Sequence, residues 1–272
     1  MANSINTNVG AMVALASLRS TQSALNTASK QVQTGYRVSD AADDASTFSV
    51  AQGIRGNLQA YQAVQGSLAN GAGLGSVTQA ALTSISNLVG NMQAKITQLA
   101  DGGIDANQRT IYTNDFNAMT SQVQNFIAQA RYNGTNLLSA GSTAKTFLAD
   151  TAGTTLTMTS QSSVNAAFTT FAASSVTSAS AATLALTSLA TFQQSVASSL
   201  GSNAAETRSM NLQSSFVNSI VDATTAGLGA IVDADIGKAS ASVQALQVRQ
   251  QLGIQSLSIA NQQPSVLLGL FR

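Results

Sequence analysis

Proline occurs once in this sequence, at Pro264. Because proline lacks a backbone donor and clashes with the preceding helical turn, it interrupts helices more strongly than any other residue. Its near absence therefore permits helices of unusual length. Aromatic residues make up only 5% of the 272 residues, while alanine, serine, threonine, glutamine and asparagine fill most positions. This composition suits slender packed helices better than a thick globular core.

The N-terminal segment has the periodicity of an amphipathic helix. Ile5, Val9, Met12 and Ala16 follow spacings of three and four residues, and Leu18, Leu25 and Val32 then repeat every seven residues. Such spacing is typical of a coiled-coil helix. Since glycine is the common residue just past a helix end, the helix is predicted to stop near Gly35.

The C-terminal segment is the most regular part of the chain. Spacings of three and four connect Ile236, Ala239, Val243, Leu246, Gln250, Gly253, Leu257, Ala260, Pro264 and Leu267. Two narrow apolar seams predict that the chain ends pair as an antiparallel coiled-coil stalk. Gln22 and Gln250 make both seams partly polar, and ordering the backbone costs about 1 to 2 kcal/mol per residue. We therefore expect ends that are loose in the monomer and become ordered when neighbours cover them.

Between the ends, apolar periodicity predicts one long helix over residues 42–100, weakened but not ended by the glycine-rich stretch at 71–75. Asp105 followed by Gln108 is typical of a capping box that opens a third helix, with Tyr112 to Phe126 on its apolar face. Asn133-Gly134 predicts a turn. These features indicate a helical bundle.

The composition changes at residue 142. Residues 155–159 alternate as a strand does and, with residues 146–148, predict a small β-hairpin. Residues 165–182 are interpreted as surface insert, and helix is expected to resume at about Leu184, with Leu189, Phe192, Val196, Leu212 and Phe216 in its pattern. The fold is thus predicted to be mainly α.

Five segments follow from this organisation. They are an N-terminal helix over 1–40, a helical segment over 41–140, a short exposed β and loop insert over 141–183, a second helical segment over 184–232, and a C-terminal helix over 233–272.

Catalysis is not expected, because the chain contains neither histidine nor cysteine. A Mg²⁺ ion or acid-base chemistry would need paired carboxylates, and the chain has two such pairs, Asp43 with Asp44 and Asp233 with Asp235. The favoured interpretation is helix N-terminal acids near Arg37, stabilised by the helix dipole. Gly71, Gly73 and Gly75 do not have the spacing of a phosphate loop. We predict no enzyme activity, no cofactor and no metal.

Charge and hydropathy limit the partners. Charged residues are 8% of the chain, with a net charge of +1 and no basic run, so no nucleic-acid partner is expected. No uninterrupted apolar run of about 18 residues occurs, so no membrane partner is expected. The first ten residues do not resemble a conventional secretory signal.

Two sites of modification are considered. Asn133-Gly134-Thr135 fits the N-glycosylation pattern, but the turn is the favoured interpretation. The serine and threonine tract from Ser142 to Ser180 is a candidate for O-linked sugars.

Three blocks of sequence resemble bacterial flagellins. The first block consists of Ile5 to Asn8, Thr34 to Val38 and Ala41 to Ala45. The second block is Tyr132 to Leu138. The third block includes Asp233 to Asp235, Gln247-Val248 and Ala260 to Pro264. The resemblance covers roughly residues 1–140 and 185–272.

This resemblance implies a subunit that polymerises with copies of itself into the extracellular flagellar filament for swimming motility. The paired ends would line the inner tube, the middle helices would form the next shell, and the insert would face solvent. It further implies secretion through the flagellar type III export apparatus, an export chaperone on the C-terminal seam, and cap and junction proteins as partners. The assembly residues carried over are Ile5, Val9, Met12, Leu18, Leu25, Val32, Arg37, Asp43, Asp44, Val243, Leu246, Gln250, Leu257, Pro264 and Leu267.

A hook-filament junction protein, also called hook-associated, is the alternative, since such proteins share flagellin-like ends. A chemoreceptor-like helix bundle is disfavoured because the chain has one glutamate, Glu206, and no predicted span.

Overall fold

A computed structural model describes the backbone over residues 7–269 and the side chains over residues 7–262. The elements of this range, in chain order, are α1 (Val9–Thr34), α2 (Ala45–Ala100), α3 (Ala106–Gln129), β1 (Lys145–Leu148), β2 (Thr155–Met158), α4 (Ser162–Ala172), α5 (Ala179–Val232) and α6 (Ile236–Gly269). The mainly α prediction is confirmed. Contacts divide the described chain into two compact units, one of residues 7–56 and 223–269 and the other of residues 57–222.

Most helix boundaries agree with the sequence signals. Gly35 ends α1 in the left-handed region at φ 75° and donates its amide to the Gln31 carbonyl at 2.9 Å. The capping box at α3 is present, since the Asp105 carboxylate accepts from the Gln108 amide at 2.8 Å and the Gln108 side chain accepts from the Asp105 amide at 3.2 Å. Helix α2 runs unbroken through its glycines, as predicted.

Two helix starts were predicted wrongly. Helix α2 begins at Ala45 instead of residue 42, because Asp44 caps it by accepting from the Ser46 and Thr47 amides at 3.1 Å each. Helix α5 begins at Ala179, about five residues before the expected position near Leu184. Its first turn has the serine, threonine and alanine composition that was assigned to the insert.

The unit of residues 57–222 is a helical bundle in which α2 and α5 run antiparallel. The Gln65 side chain donates to Asn218 at 2.6 Å, and the Asn203 side chain donates to the Gly75 carbonyl at 2.9 Å. Most of the predicted apolar positions in the second half of α2 and the first half of α5 are buried in its core, while Tyr112, Met119 and Phe126 of α3 are only partly buried against it. The buried ones are Leu82, Ile85, Val89, Met92, Ile96, Leu99, Phe116, Val123, Leu189, Phe192 and Val196. Leu212 and Phe216 of α5 are exceptions, with 65% and 59% of their surface exposed.

The interpretation of residues 165–182 as surface insert was wrong. Helix α4 occupies residues 165–172 of this segment, and the helix buries Val164, Phe168 and Phe171. The Phe171 ring stacks on Phe192 with centroids 5.9 Å apart and meets Phe116 edge-on at 5.7 Å. Aromatic contacts of this kind add to the free energy gained from apolar burial, so α4 is part of the core.

The β-hairpin prediction is confirmed. Strands β1 and β2 pair antiparallel, with Lys145 opposite Met158 and Leu148 opposite Thr155. Glu206 of α5 accepts from the Thr159 amide at 3.0 Å and from the Thr159 hydroxyl at 2.6 Å. The single glutamate of the chain therefore fixes the end of the hairpin to the bundle.

The glycine-rich stretch of α2 is a packing surface. A Cβ atom on Gly73 would lie 2.7 Å from the Tyr132 ring, and one on Gly71 would lie 3.0 Å from Phe147 and from Met210. Each of these distances is too short or very tight for a side chain. The glycines therefore let the hairpin, the Asn-Gly turn and α5 approach the backbone of α2.

By length and composition alone, α5 qualifies as a helix that could cross a membrane: its most apolar window of 18 residues has mean hydropathy 1.3, with 11% of that window buried. Apolar helices of proteins outside membranes meet the same criterion, so this is weak evidence.

Candidate functional site: the paired terminal helices

Helices α1 and α6 pack antiparallel within the unit of residues 7–56 and 223–269, and we call this pair the terminal hairpin. The Asn8 side chain donates to the Ala260 carbonyl at 2.6 Å, and the Gln250 side chain donates to the Gln22 side chain. Between these contacts, Leu18 lies against Gly253, where a Cβ atom would be 3.2 Å from Leu18 Cδ1. The predicted pairing of the chain ends is confirmed.

The seam of α6 follows the predicted periodicity. Ala239 is buried, and the other described members from Val243 onward are half-buried, namely Val243, Leu246, Gln250, Gly253, Leu257 and Ala260. Ile236, at the first residue of the helix, is an exception with 44% of its surface exposed. Side chains from residue 263 onward are not described, so Pro264 and Leu267 lie outside the residues on which this seam can be checked.

The seam of α1 differs from the prediction at its start. Val9 and Met12 are 57% and 62% exposed, whereas Leu18, Leu25 and the small residues Ala11, Ala14 and Ala28 face the inside of the hairpin. Counting back seven residues from Leu18 reaches Ala11 and not Met12, so the heptad continues through alanines. Val32, 37% exposed, is also at the margin of the contact, and Ile5 precedes the described residues.

Large apolar side chains therefore lie on the outside of the terminal hairpin. On α1 these are Val9, Met12 and Val13, and on α6 they are Val248, Leu252, Ile254 and Ile259, each more than half exposed. We call this set the outer apolar face. These side chains stay more than half exposed among the residues described, and burying one such side chain is worth about 1.5 to 3 kcal/mol.

The terminal hairpin is closed at one end by a joint between two connections, residues 35–44 and residues 231–235. Tyr36 and Asp233 form an antiparallel bridge, the Arg37 amide donates to the Val232 carbonyl at 2.7 Å, and the Ala234 amide donates to the Gly35 carbonyl at 2.9 Å. The Arg37 guanidinium donates to the Ile231 carbonyl. The two bonds from Arg37 satisfy carbonyl groups at the C-terminal end of α5, where no helical partner exists.

Lys30 holds the charged part of the joint. Its ammonium lies 2.6 Å from the Asp40 carboxylate and 2.8 Å from that of Asp43. These contacts hold the pKa of both carboxyls below the usual range and raise the pKa of Lys30. For Asp43, hydrogen bonds donated by Ser39 are the next largest cause of the lowered pKa. The pKa of Asp44 is lowered mainly by Thr47, whose hydroxyl and amide donate to it, and least by Arg37.

The predicted residues Arg37, Asp43 and Asp44 thus belong to one structural joint, and Lys30 is the member that sequence reasoning missed. Its partners are 10 and 13 residues away, and only the turn after Gly35 brings them together. Within residues 7–269, no three carboxylates gather as a metal ion would require.

Comparison with known proteins gives a consistent result. The family description "bacterial flagellin N-terminal helical region" matches residues 5–143, and "bacterial flagellin C-terminal helical region" matches residues 172–271. Flagellin FljK of Caulobacter vibrioides is 33% identical over 99% of both chains, and a flagellin of Brucella melitensis is 32% identical over 99% of both. The crystal structure of Bacillus cereus flagellin matches with a TM-score of 0.50 and 20% identity, covering 56% of this chain and 88% of that one.

The long antiparallel helices and paired ends define a helical structural subunit. The chain belongs to the bacterial flagellin family. It is a structural subunit of the flagellar filament, and the hook-associated alternative is not favoured. Family membership implies that the extracellular filament is where it acts.

Proposed function

We propose that the terminal hairpin forms the innermost layer of the filament and that its outer apolar face is covered by neighbouring copies. The observation that supports this proposal is the exposure of Met12 and Ile259, which is 62% and 67% within the part of the chain that the structure describes. Repeated copies supply the missing surface, because each brings the same uncharged apolar positions. The apolar burial gained on assembly offsets the entropy of ordering the hairpin.

The proposed assembly residues then have three roles. Val9, Met12 and the adjacent Val13 make contacts between copies, while Leu18, Leu25, Val243, Leu246, Gln250 and Leu257 hold the hairpin itself together. Arg37, Asp43 and Asp44 fix the joint. Ile5, Val32, Pro264 and Leu267 are assigned to the seams of the terminal hairpin by their spacing in the sequence.

A second surface is proposed in the unit of residues 57–222. Leu212 and Phe216 are exposed one helical turn apart on α5, although the core of the same helix uses Met210 and Val217. A neighbouring copy that covers these side chains would form the next shell of the filament.

The test is seeded polymerisation of purified protein followed by electron microscopy. Met12→Gln with Val9→Gln is expected to slow or abolish elongation while leaving the monomer helical by circular dichroism. Ser23→Gln, an exposed polar change on the same helix, is the matched control and should elongate normally. Normal filaments from the double variant would contradict the role of the outer apolar face. Removing residues 240–272 should leave a helical protein that does not polymerise.

The remaining partners are proposed from family membership. They are the flagellar type III export apparatus, an export chaperone that covers the C-terminal seam, and the cap and junction proteins. Of the serine and threonine tract, residues in the β-hairpin and in the connection before α5 are exposed, for example Thr155 and Ser178. These are the proposed positions for O-linked sugars, and mass spectrometry of native filaments tests them directly.

A further inference from the structure

The chain contains two Asn-Gly pairs, Asn70-Gly71 and Asn133-Gly134, and the fold places them in opposite environments. Asparagine followed by glycine is the pair most prone to spontaneous loss of the side-chain amide, since glycine presents no side chain to hinder attack by its backbone nitrogen. Both asparagines are exposed to solvent. Any difference in their reactivity must therefore come from backbone conformation and local bonding.

Asn70-Gly71 lies in the interior of α2. There the amide of each residue donates to the carbonyl four residues earlier, and the rigid helical backbone cannot bring the Gly71 nitrogen onto the Asn70 side chain. The Asn70 side chain is also bonded, because its Oδ1 accepts from the Tyr132 hydroxyl at 3.3 Å. Reaction at this pair requires local opening of the helix.

Asn133-Gly134 occupies the two central positions of a tight turn. The flanking residues Tyr132 and Thr135 exchange backbone hydrogen bonds of 2.9 Å in both directions, and Asn133 and Gly134 have φ of 46° and 77°. Asn133 is the only described non-glycine residue, among residues 7–269, with positive φ. Neither central residue belongs to a helix or a strand, so no regular hydrogen-bond ladder restrains the Gly134 nitrogen.

We propose that Asn133 is a site of spontaneous deamidation in the folded protein and that Asn70 is protected. The Gly134 nitrogen attacks Asn133 Cγ, a Cγ–N bond forms, and the Cγ–Nδ2 bond breaks. The nitrogen's proton passes to the departing amide, which leaves as ammonia. Water then opens the resulting five-membered ring, its hydroxyl adding to one carbonyl carbon and its proton to the ring nitrogen. The product is aspartate or isoaspartate.

The modification adds a negative charge to a groove of the bundle that Asn133 shares with Lys145 and Tyr132. In the isoaspartate product the main chain gains one carbon inside the turn, which is incompatible with the paired bonds of Tyr132 and Thr135. Because the Tyr132 ring lies on Gly73 of α2, loosening the turn also loosens that contact. A subunit that persists in a filament would accumulate this change with age.

The experiment uses the full chain incubated in mildly alkaline buffer, with samples taken over time for peptide mapping by mass spectrometry and for isoaspartate detection. Asn70 is the internal control, a chain unfolded in denaturant is the second arm, and Asn133→Gln identifies the mapped peptide. In the folded chain we expect conversion at Asn133 at least about tenfold faster than at Asn70, equivalent to about 1.4 kcal/mol of protection. In denaturant the two rates should converge.

Equal rates at the two pairs in the folded chain would overturn the proposal, as would a folded Asn133 slower than Asn70. No conversion at Asn133 in the folded chain, together with conversion of both pairs in denaturant, would also overturn it, because the turn would then protect Asn133.

Discussion

Replacing Gly73 by alanine tests the packing role of the glycine-rich stretch most directly. The new Cβ would lie 2.7 Å from Tyr132 Cζ and 2.9 Å from its Oη, so the ring must move. Forcing extra volume into a packed contact costs about 1 to 3 kcal/mol, and losing the Tyr132–Asn70 hydrogen bond costs about 1 kcal/mol. Alanine regains about 1 kcal/mol of helix propensity. The net expectation is a loss of about 1 to 3 kcal/mol in the free energy of unfolding.

Gly66→Ala is the matched control, because Gly66 lies in the same helix and a Cβ atom there would meet no neighbouring side chain within 4 Å. It should stabilise the protein by about 1 kcal/mol through helix propensity alone. The assay is urea unfolding of the monomer followed by circular dichroism, with the midpoint and slope fitted separately. In a Tyr132→Leu background the penalty of Gly73→Ala should shrink. If Gly73→Ala stabilised the wild-type chain as much as Gly66→Ala does, the packing explanation would be refuted.

Three further outcomes are expected. Replacing Gln22 and Gln250 together by leucine should raise amide exchange protection in α1 and α6 of the monomer, because an apolar pair replaces a polar one in the seam; unchanged protection would contradict a marginal hairpin. The lowered pKa of Asp40 and Asp43 means that the joint is stabilised above about pH 4 and loses this contribution as pH falls further. Amide hydrogen exchange of residues 35–44, measured against pH, should show this loss of stability. The loss should be smaller in Lys30→Gln. Phe171→Ala should lower the free energy of unfolding in urea by about 3 to 5 kcal/mol, because the ring is fully buried against Phe116 and Phe192. A decrease below about 1 kcal/mol would place α4 outside the core.

Much of the fold could be predicted because its signals are local. Helix periodicity, the Asp105 capping box and the Gly35 stop each depend on residues within a few positions of one another, and all are present. Helix α4 also had a signal, since Val164, Phe168 and Phe171 follow spacings of four and three. The surrounding serine and threonine obscure it, because they give the segment the composition of an exposed loop.

The candidate site was harder to predict, because its details depend on distant pairing. The heptad of α1 continues through alanines, and alanine is too weakly apolar to distinguish the inward face from the outward one carrying Val9 and Met12. The partners of Lys30 are fixed by a turn whose geometry the residue types do not reveal. Apart from the insert, the division of the chain into five segments stays a prediction. The contacts between copies of the chain also stay a prediction.

The contact between Gln22 and Gln250 has a consequence for synthesis, because it joins residues 228 positions apart. Contacts of such separation form late in folding, after more local ones have closed the intervening chain. During translation α1 emerges first, yet the helix that covers its inner face is made only after residue 235. The terminal hairpin therefore cannot form before α6 is made, and until then the inner face of α1 has no partner within its own chain.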